Sequence, residues 1–305
     1  MAGPNPFPGE NNTGHYWDDN LRELSNPPPS WWMIGFWASI AWVVGYFILY
    51  PSWPMPYQPK DSVGYTQGVM GWTQIKEYEE GVKQIQEMRA QYEEKIAKMT
   101  PEQILADQGM TQYTLASAKV LFGDNCSACH GSLGQGNPGF PILVDDDWLY
   151  GGTLAKIQET VAYGRHGAMT AHKDILSPAE VDSLAHFVVA LSEGKATDEG
   201  WALFNAKGCT ACHGPKANGV LAELPGGETV TVGAANLTDS IWRFEPGGFE
   251  SAKYTILHGV NQPTAEAPSP ETRQAIMPAF GDSGKLTPLQ IKKLVVYVHQ
   301  LGGGK

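Results

Sequence analysis

The sequence predicts a mainly α-helical protein with one N-terminal transmembrane helix, a helical stalk and two small domains in tandem. Three observations carry this expectation. They are an uncharged apolar window near the N-terminus, a charged segment with apolar residues three and four apart, and an internal repeat over the rest of the chain. At 305 residues the chain has room for about two domains of ~150 residues each. A hydrophobic content of 42% excludes global disorder. The net charge of −11 argues against nucleic acid as a partner, because no basic stripe is available to neutralise phosphates. The acid is placed unevenly: 13 acids against 7 bases in 1–109, 9 against 4 in 110–194, and 10 against 10 in 195–305.

Between Glu23 and Lys60 there is no charged side chain, and 31–50 is apolar or aromatic apart from Ser39. A helix of those 20 residues would be ~30 Å long, the thickness of a bilayer's hydrocarbon core. Pro27, Pro28 and Pro29 precede the window, and Pro51, Pro54 and Pro56 follow it. Trp31 and Trp32 at one end, with Tyr46, Tyr50, Trp53 and Tyr57 at the other, match interfacial aromatic belts. Acidic residues before the window and Tyr50-Pro51-Ser52-Trp53 after it do not fit a cleaved signal peptide. The expectation is a permanent anchor over 31–50, preceded by an N-terminal segment over 1–30. Only Arg22 and Lys60 lie near its ends, so basic residues do not orient it.

A linker and stalk follow over 51–109. Ile75, Tyr78, Val82, Ile85, Met88, Tyr92, Ile96 and Met99 fall on one face of a helix over 74–99. Thr100-Pro101-Glu102-Gln103 then restarts a helix, with Thr as N-cap, Pro at the first turn and Gln as capping-box partner.

The remainder is a repeat. The first copy runs Leu121-Phe122, Cys126-Ser-Ala-Cys129-His130-Gly131, Asp146-Asp-Trp148, Gly164-Arg-His166, Met169, and a helix start at Ser177-Pro-Ala-Glu180. The second runs Leu203-Phe204, Cys209-Thr-Ala-Cys212-His213-Gly214, Asp239-Ser-Ile-Trp242, Gly259-Val-Asn261, Met277-Pro278, and Thr287-Pro-Leu-Gln290. The order and residue types predict two homologous domains, 110–194 and 195–305, joined near 193–197.

Cys-x-x-Cys-His is the attachment signature of a c-type haem. Thiols at this spacing can form thioethers to both vinyl groups of one porphyrin, and the adjacent imidazole then falls under the iron as an axial ligand. Cys126, Cys129 and His130 would hold one haem c, and Cys209, Cys212 and His213 a second, which makes the repeats class I cytochrome c domains. A redox disulfide would want a thioredoxin-like context. A zinc site shared by the pairs would span about 80 residues, where zinc modules close loops of ~12–20.

Met277, before Pro278 in a loop upstream of the last helix, is the expected second axial ligand of the second domain. Met169 holds the matching place in the first, with Thr170 where Pro is usual. His166 and His172 flank it at three residues on each side and stay open as alternatives. A thioether ligand raises the haem potential relative to a second imidazole. The proximal His needs an acceptor for its free N–H. Pro141, or the Phe140 carbonyl before it, fits that role in the first domain, and Ala235 stands at the equivalent point in the second. Trp148 and Trp242 recur at matched positions, either to hydrogen-bond a haem propionate or simply to pack. His186, His258 and His299 are read as surface or core residues. Phe122 and Phe204 on the N-terminal helices, with Phe187 and Tyr297 on the C-terminal ones, are expected where such helices cross.

Thr13-Gly-His-Tyr-Trp17-Asp-Asp-Asn-Leu21-Arg-Glu, then Asn26-Pro-Pro-Pro-Ser-Trp31-Trp32, one span and Tyr50-Pro51-Ser-Trp53, resembles the CcoP/FixP family. That family is the membrane-anchored dihaem cytochrome c subunit (subunit III) of cbb3-type cytochrome c oxidases. Gly71-Trp72 with Glu77-Tyr78-Glu79 resembles its linker. The resemblance implies electron transfer from a soluble or membrane-bound cytochrome c donor, with a monohaem cytochrome c subunit, towards the haem–copper catalytic subunit that reduces oxygen and pumps protons. From the residues alone, a freestanding anchored dihaem cytochrome c shuttling between complexes and a dihaem peroxidase remain alternatives. No nucleophile or general-base pair is evident, so independent bond-making catalysis is not expected. Haem is attached outside the cytoplasmic membrane, so the expected location is the bacterial inner membrane, with the haem domains periplasmic and 1–30 cytoplasmic. Asp145, Asp146 and Asp147 form the densest acidic run of the first domain, either a docking patch for a lysine-rich donor or an ordinary solvated loop.

Overall fold

The computed structural model describes residue 7 and residues 9–17, 21–53, 68–225, 228–244, 246–261 and 273–302. Asp18, Asp19, Asn20, Pro54, Pro56, Tyr57 and Lys60, named above, lie outside them. The chain divides into two units, Met1–Arg89 and Ala90–Lys305.

In the first unit, β1 (Asn12–Trp17) and β2 (Leu21–Leu24) pair antiparallel, with Trp17 opposite Leu21 and Tyr16 opposite Arg22. The Arg22 guanidinium sits on the Glu10 carboxylate. The three prolines end this ladder because they lack N–H donors. Pro29 then stands before α1 (Ser30–Leu49), which is long and apolar enough to cross a membrane. None of its residues is buried, and Trp31, Ile34 and Trp42 are at least 70% exposed. A helix whose backbone is satisfied internally and whose outer surface is apolar on all sides suits hydrocarbon rather than water. Past its end, the Val69 N–H donates to the Ile48 carbonyl at 2.9 Å, and Tyr50 meets Trp72 edge-on at 5.7 Å.

Helix α2 (Gln74–Lys98) carries the expected stripe, but its residues have two fates. Ile75, Tyr78, Ile85 and Met88 are exposed, whereas Ile96 is fully buried. Ile96 packs with Ile104, Met110 and Val296 in a core cluster of the second unit. Helix α3 (Pro101–Ala106) starts with the capping box read from the sequence: Thr100 accepts from the Gln103 N–H, and the Gln103 side chain accepts from the Thr100 N–H.

The first copy continues as α4 (Gln108–Asn125), α5 (Ser127–His130), α6 (Leu154–Tyr163), β3 (Arg165–His166) and α7 (Pro178–Ser192). The second repeats this order as α8 (Asp198–Ala206), α9 (Thr210–His213), the hairpin β4 (Val220–Glu223) and β5 (Thr229–Thr231), α10 (Gly248–His258), β6 (Ile276–Met277) and α11 (Pro288–His299). Ser177–Glu180 and Thr287–Gln290 contacts cap α7 and α11 as the sequence suggests, each with Pro in the first turn.

The packing does not follow sequence order. Phe122 of α4 meets Tyr297 of α11 at 5.3 Å, while Phe204 of α8 meets Phe187 of α7 at 5.5 Å. One core joins Phe122, Ile157 and Val161 to Leu294 and Val295 of α11. Another joins Phe204, Ala252 and Ile256 to Val181, Leu184 and Val188 of α7. The two cores therefore run across the repeat boundary: each C-terminal helix closes the core around the other copy's Cys-x-x-Cys-His motif. Part of the reason lies in the connection. The five residues 193–197 are too few to carry the chain far, so α7 lies against the helix that follows it. Gly200 permits this contact, since a Cβ there would stand 2.1 Å from the Phe187 ring.

Candidate haem-binding sites

Each Cys-x-x-Cys-His lies on a short helical turn at the end of an N-terminal helix. Cys126 closes α4, and its N–H donates to the Phe122 carbonyl at 2.8 Å; His130 is then reached one turn later through a 2.9 Å bond to the Cys126 carbonyl. Cys209 and His213 repeat this at 3.0 Å. After each motif a glycine takes positive φ, +78° at Gly131 and +80° at Gly214, and reverses the chain. The returning loop then touches the motif, with the Gly136 N–H on the His130 carbonyl at 2.7 Å and the Gly219 N–H on the His213 carbonyl at 2.9 Å.

The imidazoles are held alike. His130 Nδ1 lies 3.0 Å from the Pro141 carbonyl, and His213 Nδ1 lies 2.9 Å from the Ala235 carbonyl. A carbonyl only accepts, so Nδ1 carries the proton and Nε2 keeps its lone pair, the tautomer an iron ligand requires. Burial pushes both imidazole pKa values down, against the opposing pull of those carbonyls, and keeps the rings neutral. The four thiols are unbridged. Burial pushes the Cys126 thiol up to about 11, with the Lys285 ammonium acting in the opposite sense, and raises Cys209 as well. Apolar walls, a tied imidazole and a pair of unbridged thiols at each motif form a donor set that fits a covalently held haem.

The other expected residues fall as follows. Pro141 offers its own carbonyl rather than that of Phe140. Trp148 packs against the core that holds Cys126, and Trp242 against the one that holds Cys209. Met277 belongs to the Cys126 core and Met169 to the Cys209 core. His166 is exposed on β3. His172 donates its backbone N–H to the Ile256 carbonyl of α10 at 2.9 Å, and its Nδ1 is buried without a hydrogen-bond partner. His186 stacks on Phe249 at 4.3 Å, away from either motif in sequence and role.

Three residues escaped the sequence reading. Arg243 is half-buried, accepts from the Gly139 N–H through its carbonyl at 2.6 Å, and places its charge near His130, Tyr150 and Asp147. Lys285 lies close enough to Cys126 to influence its thiol. Asn261 is 5% exposed, with φ +49°. All three belong to the second copy and act on the first, which no pattern within one copy could reveal. Asn261 carried a partial signal, as a residue tolerant of positive φ directly after Gly259-Val260.

Helices packed around a Cys-x-x-Cys-His turn, twice in one chain and behind an apolar membrane-type helix, define a c-type cytochrome of membrane-anchored form. Comparison with known proteins is specific on this point. Residues 9–56 match the model of the N-terminal domain of cytochrome oxidase-cbb3, FixP; residues 114–188 match cbb3-type cytochrome c oxidase subunit III; and residues 197–302 match cytochrome c. The FixP subunit of Azorhizobium caulinodans is 37% identical over 97% of this chain and 94% of its own length. FixP of Bradyrhizobium sp. (strain ORS 278) and CcoP of Azospirillum sp. (strain B510) are each 37% identical over 97% of the chain, covering 96% and 97% of those proteins. The chain belongs to the CcoP/FixP family, the cytochrome c electron-transfer subunit of cbb3-type oxidases. This full-length likeness disfavours the freestanding shuttle and the dihaem peroxidase.

Proposed function

We propose that the chain binds two haem c groups, one through Cys126 and Cys129 and one through Cys209 and Cys212, and relays single electrons from a cytochrome c donor towards the haem–copper subunit. His130 and His213 are the proximal ligands, and Met169 and Met277 complete the axial set. The observation that carries this reading is the matched pair of imidazoles, each with Nδ1 on a backbone carbonyl at 3.0 or 2.9 Å. A haem c supplies a one-electron iron couple. The chain's own residues hold the imidazole tautomer, exclude water with the Phe122 and Phe204 cores, and keep neutral donors facing the metal position. Trp148 and Trp242 would either donate to haem propionates or serve simply as packing against the two cores.

The haem domains are periplasmic, 1–30 is cytoplasmic, and α1 crosses the inner membrane between them. Partners are the haem–copper subunit, the monohaem subunit and a basic cytochrome c donor, which meets the acidic run Asp145, Asp146 and Asp147. Asp239 supports that patch, since its carboxyl feels the charges of Asp147 and Asp145.

Pyridine haemochrome analysis of the purified membrane complex should count two haem c per chain. Cys126→Ala and Cys209→Ala should each halve the haem stain of this subunit on a denaturing gel. Undiminished stain in both variants overturns the attachment sites, and protection of both haem domains from protease added to intact spheroplasts overturns the orientation.

A further inference from the structure

The two tryptophan loops differ at a telling position. The first copy reads Trp148-Leu149-Tyr150 and the second Trp242-Arg243-Phe244, so a cation stands in the second where the first has a leucine. Trp148 packs with the core that holds Cys126, and Trp242 with the one that holds Cys209. Arg243, next to Trp242, nevertheless acts on the first site. Its carbonyl accepts from the Gly139 N–H at 2.6 Å, and a Cβ on Gly139 would stand 3.9 Å from the Phe244 ring. Gly139 lies in the loop that leaves the first motif. Asn137 ties that loop back to the Cys129 carbonyl at 2.9 Å, and the Pro141 carbonyl on the same loop holds His130 at 3.0 Å.

The side chain adds a charge. Arg243 is half-buried, and among the described residues its guanidinium has no hydrogen-bond or ion-pair partner. Its field reaches His130, Tyr150 and Asp147, whereas burial and the Ala235 carbonyl are what act on His213. Burial disfavours the charged form of Arg243, yet a guanidinium stays protonated throughout the physiological range. A desolvated cation is costly unless it is paired. Asp147 is engaged by the Asn236 side chain instead. The group that the first site would bring to this cation is the propionate edge of its haem. Carboxylates are what a planar guanidinium receives best, through two parallel N–H donors.

We infer that Arg243 is the counter-charge of the haem bound at Cys126, Cys129 and His130: its guanidinium receives the propionates of that haem and raises its potential, while Leu149 offers no such charge at the matching position. This rests on the two-haem reading given above. A fixed positive charge favours the electron-rich state of its neighbour, and at close range such a charge shifts an equilibrium of this kind by about one to three decades. Arg243 thereby separates the potentials of two sites whose imidazoles are held alike. Its carbonyl holds the loop and its side chain sets the charge, so a side-chain substitution tests the second role without undoing the first.

The test is a potentiometric titration of the full-length chain, extracted in detergent and separated from the other subunits. The double substitution Cys209→Ala and Cys212→Ala leaves the first haem's wave alone and so identifies it. Arg243→Leu should lower that wave by at least about 59 mV, a tenfold change in a one-electron equilibrium, and leave the second haem's wave in place. Arg243→Lys, which keeps the charge, should recover at least half of the shift. An unmoved first wave, a shift confined to the second haem, or an equal fall in both variants overturns the proposal. Failure of the two-haem reading looks different, since the haem stain would then not fall by half in the Cys209→Ala, Cys212→Ala chain. If Arg243→Leu does not retain the first haem, Arg243→Gln, which keeps amide donors without the charge, is titrated in its place against the same outcomes. Where the single-haem chain does not accumulate, the two-haem chain decides: a fall in one wave supports the proposal, and a fall in neither, or equally in both, overturns it.

Discussion

At His130 the imidazole leans on the carbonyl of a proline, and at His213 on that of an alanine, at 3.0 and 2.9 Å. The acceptor is backbone, so what matters is where the loop runs rather than which side chain it carries. Beyond this shared detail the two sites are built differently. The first is approached by α4 of 18 residues, the second by α8 of 9. The first is also braced through α11 against the end of α2. Lys292 Nζ donates to the carbonyls of Ile96, Ala97 and Met99 at 3.2, 2.9 and 2.7 Å, where cations favour a helix C-terminus. Lys293, largely buried, pairs with Glu93, which also accepts from the Tyr113 hydroxyl at 2.6 Å. The second site is clasped by Glu180 of α7 and Lys207 just past α8. Their fields differ as well, since the acidic run belongs to the first site alone. One motif has been set into two scaffolds, one buttressed by packing and the other by a short connection and a half-buried ion pair.

The largest way to break this comparison is to empty either core. Phe122 and Phe204 are 1% and 2% exposed, and each substitution by Ala should cost about 3–5 kcal/mol in thermal or urea unfolding. Because α11 closes the first core and α7 the second, Phe122→Ala should loosen 273–302 and Phe204→Ala should loosen 178–192, as read by hydrogen exchange. Independent cores within 110–194 and 195–305 would give the opposite assignment. Next in size, Lys293→Ala should cost about 1.5–3 kcal/mol through the lost charged hydrogen bond to Glu93.

Acid should sharpen the contrast further. The Lys207 ammonium, with the Ser177 N–H and hydroxyl, holds Glu180 down to about 2. A depressed carboxyl contributes stability that is present above the ordinary carboxylate pKa and lost as pH falls towards 2. Asp145, Asp147 and Asp239 are pushed up, first by burial and further by neighbouring carboxylates, Asp146 in the case of Asp147. Their contribution has the opposite sign: it is present below the ordinary carboxylate range and lost as pH rises through the raised values. Urea midpoints followed against pH should therefore lose the first trend in Glu180→Gln and part of the second in Asp147→Asn.

The smallest expected effect is kinetic. Replacing Asp145, Asp146 and Asp147 with Asn should slow reduction by a basic donor severalfold at low salt and very little at high salt, because screening removes the field of the patch. Stopped-flow rates with unchanged salt dependence would assign donor docking elsewhere.

Features that depend on a few neighbouring residues were legible without a structure. The apolar window became α1, displaced by one residue, because a bilayer-length helix needs only composition and flanking prolines. The boxes at Thr100, Ser177 and Thr287 formed because a cap is closed by residues three apart. Cys126, Cys129 and His130 came together because one turn joins them. What tertiary structure alone decided is which C-terminal helix, and with it which methionine, meets which motif. The two copies are alike, so α7 and α11 each present an apolar face that suits either core, and periodicity cannot choose between them. The choice rests on the short 193–197 connection, the space at Gly164 and Gly200, and the buried amide of Asn261 at the crossing. These are contacts between residues far apart in the chain, 94 positions in the case of Gly167 and Asn261, and only the closed chain brings them together.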